Sequence, residues 1–528
     1  MSIEGLPGHW AEASLGDIVH KLVDGSHNPP PKQSSGFPML SAVNINRNKI
    51  DFTENYRLID GPSFAEEDRR TAVVPGDILL TIVGAIGRAA VVPAHIDKFT
   101  LQRSVAVIGP ALVDSKFLCY QFEASQFARY LTDNARGTAQ KGVYLKTLAS
   151  AKVRLAPLLE QRRIVAKIEE LLSELDKGVE ALTMAREQLN AYRMSILKSA
   201  FDGQLTRVLR RKHPFSLISA DQLRNQLVQA SLGLYRENLR KWNSMDRASR
   251  PSKPRLPEPI EPVVSENAQP FPLPNDWDWA PLSWLLSTTK KAMTTGPFGT
   301  MLKKQEHKTF GVPVLGIENI GKAVFVPGNK IFVSEEKSKE LMAFAVEAGD
   351  VIISRSGTVG EICEVPSGLG QALISTNLIR VSLNPNVIIP AFFVFMFQGG
   401  GSVRTQVKDL CKGSSRDFLN QSILGAIKFP LCSLDEQREI LKILNRQMSY
   451  VEVLTDTIDT ELNRAQSLRH TILKQAFSGQ LVAQDPADEP APVLLERIRA
   501  ERKKADAKKQ AARQRELRTK RKTPHEHV

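Results

Sequence analysis

One short stretch of the sequence contains residue types that could act on DNA. Residues 28–31 read Asn-Pro-Pro-Pro, close to an Asn-Pro-Pro-aromatic tetrad that holds an adenine taken out of the base stack. In that chemistry the Asn side chain accepts a hydrogen bond from the adenine amino group, and the aromatic ring stacks on the base. Here the fourth residue is Pro31, which offers no π-face, and no Gly-rich turn that would hold S-adenosylmethionine precedes it. The sequence therefore does not predict a methyltransferase centre.

Two further patterns resemble catalytic motifs incompletely. Residues 316–323, "GIENIGKA", match a phosphate-binding loop until Ala323 replaces the hydroxyl residue that would bind magnesium, and a strand-like stretch follows where a helix is required. Asp350 and Glu361 resemble the paired acids of a nuclease, but no Lys completes the set. Neither half of the chain contains a nucleophile elbow. We therefore expect no catalytic residue and no cofactor on this chain.

Length and composition set broad limits on the class of protein. A chain of 528 residues is long enough for two to four domains. No run of eighteen apolar residues occurs, which predicts a cytoplasmic protein without a membrane partner. The four cysteines are scattered and the nine histidines form no ligand spacing, so we expect no metal site.

The net charge of +14 is unevenly distributed. Residues 207–255 contain 12 Lys and Arg against 3 Asp and Glu, and residues 497–522 contain 13 against 3. These segments have net charges of +9 and +10, which leaves −5 for the remaining chain. A nucleic-acid surface on the folded bulk must therefore come from local placement of cations.

The sequence contains an internal duplication. The clearest pairs are "LPGHWAEASL" and "LPNDWDWAPL" at 6–15 and 273–282, "PGDILLTIVGAIG" and "AGDVIISRSGTVG" at 75–87 and 348–360, "PLLEQRRI" and "CSLDEQREI" at 157–164 and 432–440, and "ILKSAFDGQL" and "ILKQAFSGQL" at 196–205 and 472–481. The two Glu-Gln pairs and the two Gly-Gln-Leu ends are both separated by 276 residues. The segment between them has kept its length, which suggests that its length matters for function.

Each copy changes its hydrophobic period halfway. The first part alternates short Val, Ile and Leu runs with Gly, Pro and Asn, which is typical of short strands with some helix. The second part has the 4-3 spacing of a helix-packing seam and predicts a helix of about 45 residues. A helix that long needs a partner, and the other copy is the obvious one. Arg186, Arg193 and Arg469 interrupt the seam, which favours either a partner contact or a polar layer.

Together these motifs resemble the specificity subunit of type I restriction-modification systems. The resemblance covers nearly the whole chain and rests on the duplicated Glu-Gln helix start, the duplicated Ala-Phe-x-Gly-Gln-Leu end and the Gly-Asp strand with its glycine loop. It implies a non-catalytic subunit in which each of two target-recognition domains reads one half of a split double-stranded DNA sequence. It also implies that the helices set the spacer and dock two methyltransferase subunits, which two restriction subunits can join. S-adenosylmethionine, ATP and magnesium would belong to those partners.

The predicted fold is of the α+β class, with two mixed α/β target-recognition domains joined by two long antiparallel helices in a pseudo-twofold arrangement. The expected segments are a first recognition domain at 1–157, a long helix at 158–206, a basic helical segment and Pro-rich linker at 207–272, a second recognition domain at 273–431, a second long helix at 432–482 and a basic tail at 483–528.

Candidate site residues follow from the loops and from the resemblance. For DNA binding they are His27, Asn28, Lys32, Arg88, Arg103, Arg136, Lys141, Lys303, Lys304, Arg355, Ser356, Lys412 and Arg416. For binding of partner subunits they are Glu160, Gln161, Arg186, Arg193, Phe201, Glu436, Gln437, Arg469 and Phe477. The segments "DGSHNPP" and "GPFGTMLKK" are similar to two different variants found in this family, so we expect two unlike half-sites.

Two other functions compete with this interpretation. One is a DNA adenine N6-methyltransferase with degenerate motifs, and the other is a stand-alone DNA-binding protein with two binding heads. Incubation of the purified chain with labelled S-adenosylmethionine and DNA, with and without its partner, would separate the first alternative. Co-purification would separate the second, because only the specificity-subunit interpretation requires methyltransferase partners.

Overall fold

The chain folds into two units, each of which combines one globular part with portions of two long helices. In the computed structural model, unit 1 comprises residues 1–183 and 459–528, and unit 2 comprises residues 184–458. The structure describes residues 6–46, 48–53, 55–137, 140–213, 215, 218–247, 250–398, 401–411 and 418–520. The mixture of helices and short strands confirms the predicted α+β class.

The globular part of unit 1 is built from short strands and four short helices. The strands are β1 (Ala11–Ser14), β2 (Val19–Asp24), β3 (Phe37–Leu40), β4 (Ile45–Asn46), β5 (Lys49–Ile50), β6 (Arg57–Ile59), β7 (Ile78–Thr81), β8 (Ala89–Val91), β9 (Thr100–Leu101), β10 (Val105–Pro110) and β11 (Lys152–Leu155). The helices are α1 (Gly61–Thr71), α2 (Ser115–Glu123), α3 (Ser125–Asn134) and α4 (Leu145–Ala149), and the long helix α5 (Leu158–Phe201) follows.

Unit 2 repeats this pattern after two helices of the inter-copy segment. These are α6 (Arg207–Lys212) and α7 (Ala220–Ser244). The strands are β12 (Asp278–Pro281), β13 (Met293–Thr295), β14 (Val312–Leu315), β15 (Phe332–Val333), β16 (Ala345–Val346), β17 (Val351–Ser354), β18 (Ile362–Glu364), β19 (Ala372–Ile374), β20 (Leu378–Val381) and β21 (Lys428–Leu431). The helices are α8 (Leu282–Leu285), α9 (Glu335–Glu340), α10 (Pro390–Met396), α11 (Ser402–Cys411), α12 (Gln421–Ala426) and the long α13 (Leu434–Phe477). A last helix, α14 (Ala491–Lys520), belongs to unit 1.

The sheets show that the duplication extends to topology. Unit 1 contains a four-stranded antiparallel sheet in the order β2-β10-β7-β8, and unit 2 contains one in the order β13-β20-β17-β18. Beside it, β6-β3-β9 of unit 1 corresponds to β15-β14-β19 of unit 2. The first and last strands of each globular part also pair, β1 with β11 and β12 with β21. The Gly-Asp segments predicted to precede a strand and a glycine loop lead into β7 and β17.

The two long helices have 44 residues each, close to the predicted 45. In unit 1 the start of α5 lies beside the end of α13, since Ile168 and Leu473 share one core and Asp176 lies 3.3 Å from Arg469. In unit 2 the end of α5 lies beside the start of α13, since Leu197 and Leu444 share a core. Within each unit the two helix segments therefore run in opposite directions, as predicted.

The end of each long helix completes the core of the other copy's globular part. Phe477 packs edge-on against Phe117, with ring centroids 5.3 Å apart, and Phe201 packs in the same way against Phe392, also at 5.3 Å. Both helix-end phenylalanines are at most 5% exposed. The repeated Ala-Phe-x-Gly-Gln-Leu segment is thus a docking element inside each unit.

The segments outside the duplication are anchored at their starts. Helix α7 packs on unit 2 through Leu227, and Arg224 donates to the Glu261 carbonyl at 3.0 Å. The first turns of α14 bury Leu494 and Ile498 in the core of unit 1. Within the predicted basic segment and basic tail, residues 207–212, 220–244 and 491–520 are therefore helical, and α7 and α14 each have an apolar attachment.

A glycine at the end of each long helix fits against a proline at the start of the opposite globular part. Gly479 has a φ of +73°, and a Cβ placed there would lie 2.4 Å from Pro7 Cγ. We expect Gly479→Ala to lower the free energy of unfolding by about 2–4 kcal/mol, because left-handed strain and overpacking add. Urea denaturation of the purified chain measures this.

The matched control is Gly84→Ala, where φ is +78° but nothing lies within 4 Å of the added Cβ. It should cost only the backbone strain, about 1–2 kcal/mol. Equal losses for the two variants would contradict the close packing against Pro7.

Candidate nucleic-acid interface

Three loops of unit 1 meet at one edge of its four-stranded sheet. They follow β2, follow β7 and precede β10, and hydrogen bonds between backbone groups join them. The Ser26 carbonyl accepts from the Arg103 amide at 2.8 Å, and the Ser104 carbonyl accepts from the Ile82 amide at 2.9 Å. A fourth loop joins them, because the Gly84 amide donates to the Lys141 carbonyl at 3.2 Å.

The residues of unit 1 that were predicted to bind DNA lie in these four loops. His27, Asn28, Lys32, Arg88, Arg103, Arg136 and Lys141 all lie in these loops and are exposed. Backbone hydrogen bonds hold the loops, and the side chains face solvent, which suits contact with phosphates and base edges. Their binding of DNA stays a prediction.

The proline-rich loop that begins with His27 is tied to the globular part at several points. His27 Nε2 lies 2.8 Å from Asp24 Oδ2, and Arg70 pairs with the other oxygen of the same carboxylate at 2.5 Å. Arg57 donates to the Pro30 carbonyl at 2.5 Å. The stretch that resembles a catalytic tetrad is therefore a braced surface loop, in which Pro30 provides a carbonyl for a structural hydrogen bond.

The corresponding edge of unit 2 is built from the same loops with different side chains. Lys303 and Lys304 are exposed in the loop that follows β13, and their binding of DNA stays a prediction. Ser356 is half-buried, and its hydroxyl donates to Asn377 Oδ1 at 2.9 Å. Lys412 and Arg416 lie outside the described residues.

The prediction that Arg355 contacts DNA needs correction. Its side chain is only 7% exposed and lies between two phenylalanine rings, 4.9 Å from the Phe298 centroid and 4.2 Å from that of Phe418. Nη1 donates to the Thr376 carbonyl at 3.3 Å, while Nε is buried without a hydrogen-bond partner. Burial lowers the pKa of this guanidinium. Arg355 therefore supports the loop from beneath and does not present its donors to a duplex.

The Glu-Gln pairs, predicted to bind partner subunits, lie inside the units. Glu160, Gln161, Glu436 and Gln437 are 0% exposed. The Gln161 side chain donates from Nε2 to the Ala156 carbonyl at 2.7 Å, and its Oε1 accepts from the backbone amide of Asp114 at 2.9 Å. Gln437 makes the equivalent bonds, donating to Cys432 and Val387 and accepting from Ile389. Side chains that are buried and already hydrogen-bonded are not available for direct contact with another subunit. We therefore assign these four residues to holding the start of each long helix against its own unit.

The two buried glutamates are compensated by donors that lie just before the first strand of each globular part and, in unit 2, also by donors that follow α5. The Trp10 indole donates to Glu160 at 3.1 Å and His9 lies 2.9 Å from its other oxygen. In unit 2 the Trp277 indole donates to Glu436 at 3.0 Å. The remaining oxygen of Glu436 receives bonds from Thr206 at 2.6 Å and Arg210 at 2.8 Å.

Phe201 and Phe477 are likewise core residues, so their predicted role in partner binding is corrected for the same reason. The arginines of the helix seam form a polar layer within each unit. Arg469 is paired with Glu123 and Asp176, at 3.3 Å each, and Arg193 donates to Gln398 at 3.3 Å. Arg186 lies exposed on α5.

The sequence analysis did not identify Trp10, Trp277 and Arg210 as partners of the buried glutamates. A signal for the tryptophans was present, because Leu-Pro-x-x-Trp recurs at the start of both copies. Arg210 has no such signal, since the position follows the end of the duplicated segment.

The described residues contain no cluster of three or more His, Cys, Asp and Glu side chains that could hold a metal ion. The four cysteines are buried, and burial raises the pKa of the Cys363 thiol to about 12. No helix within the described part of the chain is both long and apolar enough to span a membrane. Of the two acids considered for a nuclease, Asp350 is buried and accepts from Lys290 at 3.0 Å and from Ser382 at 2.6 Å, and Glu361 lies 3.5 Å from Arg404.

The fold and its two sheet edges define a duplicated binding protein, and comparison with known proteins identifies its family. The sequence matches the family model of the type I restriction modification DNA specificity domain over residues 7–183 and 298–464. The chain belongs to this family of specificity subunits, which recognise DNA and are not themselves catalytic. Such subunits work in complexes with DNA and with methyltransferase and restriction subunits.

One relative matches along nearly the full length of both chains, and another matches along less than half. The chain is 22% identical to the type I restriction enzyme StySPI specificity subunit of Salmonella potsdam over 526 residues, covering 96% of this chain and 98% of that protein. It is 29% identical to the EcoBI specificity subunit of Escherichia coli over 229 residues, or 42% and 48% of the two chains. A chain from a solved structure on the assembly and conformational transition of the type I R-M system superposes with a TM-score of 0.59 at 17% identity, covering 90% of this chain and 99% of that one, which shows a shared fold.

The Arg210 to Glu436 pair provides a test of the buried junction. Arg210 is 10% exposed and Glu436 0%. We expect Arg210→Met to lower the free energy of unfolding by about 3–5 kcal/mol, because it leaves a buried carboxylate without its cation. Adding Glu436→Gln should recover part of that loss. Chemical denaturation of both variants measures the effect.

Arg438→Met is the matched control, since Arg438 pairs with Asp435 at 2.5 Å on the exposed start of α13. Surface pairs contribute about 0–1 kcal/mol. A loss as large as that of Arg210→Met would show that burial is not the cause.

Proposed function

We propose that each unit of this specificity subunit reads one half of a bipartite double-stranded DNA target. The observation that most supports this is the set of exposed cations at the edge of the β2-β10-β7-β8 sheet, in loops that hydrogen bonds join to one another. A sheet edge with converging loops can present side chains to a groove while cations contact the flanking phosphates. The duplicated topology provides a second edge of the same construction.

The two half-sites are expected to differ in sequence. Gly87 and Gly360 close equivalent glycine loops, yet the residue that follows is Arg88 in unit 1 and Glu361 in unit 2. The reading edges thus share a backbone and differ in charge, so the same bases do not suit both.

The paired helices set the spacer between the half-sites. Each helix would be about 66 Å long at 1.5 Å per residue, and each has one end fixed in a core by a Glu-Gln pair and the other by a buried phenylalanine. A stiff element of fixed length holds two reading surfaces in register, whereas a flexible linker would not.

The helices also dock the methyltransferase subunits, through exposed apolar side chains. On the unit 2 portion of α13, Tyr450, Val453 and Leu454 are each more than 50% exposed. Exposed apolar groups at this density are typical of protein interfaces. Two methyltransferase subunits would bind, and two restriction subunits would join them. Those partners would bind S-adenosylmethionine, ATP and magnesium.

Native purification and methylation mapping test the function. The tagged chain should co-purify with an adenine methyltransferase, and single-molecule sequencing of host DNA should show N6-methyladenine in a bipartite motif. Methylation by the chain alone, or purification without any methyltransferase, would contradict the proposal in favour of an enzyme or a stand-alone DNA-binding protein.

Lys141 tests the cationic edge of unit 1. We expect Lys141→Gln to weaken binding of all duplexes to a similar extent and to reduce the slope of log affinity against log salt by about one. Fluorescence anisotropy over a salt series measures both. Lys116→Gln is the control, because Lys116 is exposed in the same unit but pairs with Glu169 at 2.6 Å. An unchanged slope for Lys141→Gln would exclude a phosphate contact.

Lengthening both helices tests the spacer. Four residues inserted after Thr183 and four after Ile458 add about 6 Å to each helix. The preferred spacer should then increase by one or two base pairs, as read by methylation mapping. Four residues inserted in the Pro-rich linker should leave the spacer unchanged. An unchanged spacer in the lengthened chain would rule out a measuring role for the helices.

A further inference from the structure

The loop that follows β2 in unit 1 and the loop that follows β13 in unit 2, here called the reading loops, begin with the same backbone hydrogen bonds. Gly25 and Gly296 follow β2 and β13, and their amides donate to the first residues of β10 and β20, Val105 and Leu378, at 3.1 Å in both cases. A Cβ on Gly25 would lie 2.2 Å from the Leu101 carbonyl oxygen. On Gly296 it would lie 1.9 Å from the carbonyl oxygen of Ser375, whose counterpart in unit 1 is Gln102, with a carbonyl oxygen 2.4 Å from the Cβ placed on Gly25. Both loops are therefore pressed against the neighbouring loop at the same point.

The next residue also matches. The Ser26 carbonyl accepts from the Arg103 amide at 2.8 Å, and the Pro297 carbonyl accepts from the Thr376 hydroxyl at 2.6 Å. The residue after it is His27 in unit 1 and Phe298 in unit 2. These two residues therefore occupy equivalent positions, each directly after two residues that hydrogen bonds hold in place.

The side chains at this position are both exposed and differ in chemistry. The His27 side chain is 56% exposed, and because Nε2 lies 2.8 Å from Asp24 Oδ2, Nδ1 is the ring nitrogen left to contact a base edge. Phe298 is 51% exposed and has no hydrogen-bonding group. One face of its ring lies over the buried guanidinium of Arg355, and Phe418 lies against the same guanidinium. This support fixes the ring while leaving its remaining surface open to a ligand.

Two cations in the reading loops of unit 1 have no cationic counterpart in unit 2. The positions of Arg88 and Arg103 are occupied by Glu361 and Thr376 in unit 2. At these positions unit 2 carries a carboxylate and a hydroxyl where unit 1 carries two cations, and at position 298 it carries an apolar ring where unit 1 carries an imidazole. The apolar group that a base edge presents in the major groove is the 5-methyl of thymine.

We propose that residues 27 and 298 are the equivalent base-choosing positions of the two units, and that Phe298 selects thymine through its 5-methyl group. The inference rests on the proposed function, since it assumes that each unit reads one half-site. His27 selects a polar base edge at the matching position of the other half-site. The two half-sites then differ in sequence because equivalent positions of the two reading loops carry different side chains.

The experiment replaces thymine by deoxyuracil, one position at a time, in the bipartite target obtained by methylation mapping. The full chain, purified with the subunits that accompany it, is titrated with each duplex. One thymine of the half-site bound by unit 2 should weaken binding about four-fold on losing its methyl, the effect of about 0.8 kcal/mol per buried carbon. In Phe298→Ala the same replacement should have no effect, and in Phe298→Leu the effect should persist in part.

Phe310→Ala is the matched control, because Phe310 lies in the same connection between β13 and β14 and is 80% exposed without stacking on Arg355. It should keep the four-fold sensitivity, as should His27→Ala. Absence of any deoxyuracil effect in the wild-type chain, or an equal effect in Phe298→Ala, would overturn the assignment of Phe298 while leaving bipartite binding intact. Failure of the wild-type complex to bind the mapped target would instead overturn the proposed function.

Discussion

Each long helix begins with a carboxylate that is removed from water, and the surrounding fold meets its requirement for donors. Burying an unpaired carboxylate costs several kcal/mol, so Glu160 and Glu436 need partners that are fixed in place. The indoles of Trp10 and Trp277 provide them in both units, and His9 or Arg210 adds the remaining contact. Because those tryptophans lie at the first strand of each globular part, the bonds fix the direction in which each helix leaves its domain. The opposite helix end then docks beside the same tryptophan.

Local periodicity allowed much of the fold to be predicted from the sequence, whereas side-chain environment was harder to infer. Helix length followed from the hydrophobic seam, because packing of one helix face depends on neighbouring residues. Recurrence of Glu-Gln marked the pair as important, but a motif that recurs for internal bonding looks the same as one that recurs for partner binding. Arg355 appeared to be a loop cation beside a glycine turn. Its burial depends on Phe298, which precedes it by more than fifty residues in the sequence, and on Phe418, which follows it by more than fifty.

In both candidate sites the backbone at the start of the reading loop is the same, and the exposed side chains that follow it differ. Gly25 and Gly296 occupy places where a side chain would collide with a carbonyl, so the start of each reading loop is dictated by backbone packing. The exposed residues beyond that point lie outside the hydrophobic cores, although His27 also pairs with Asp24 and Phe298 also stacks on Arg355. Such a division lets a half-site preference change by substitution at a few surface positions, while the buried junctions that hold helices and strands remain the same.

The docking of each helix end into the other copy's globular part also affects the order in which the protein can be completed during synthesis. Phe117 and its partner Phe477 are 360 residues apart, a distance that a ribosome covers in roughly 20 to 70 seconds at 5–20 residues per second. The first recognition domain therefore leaves the ribosome with an open apolar face, and its core is completed only when α13 has been made. Unit 2 receives its helix end from α5, which precedes it in the chain. The N-terminal half is thus the part most dependent on protection from aggregation while the chain is being translated.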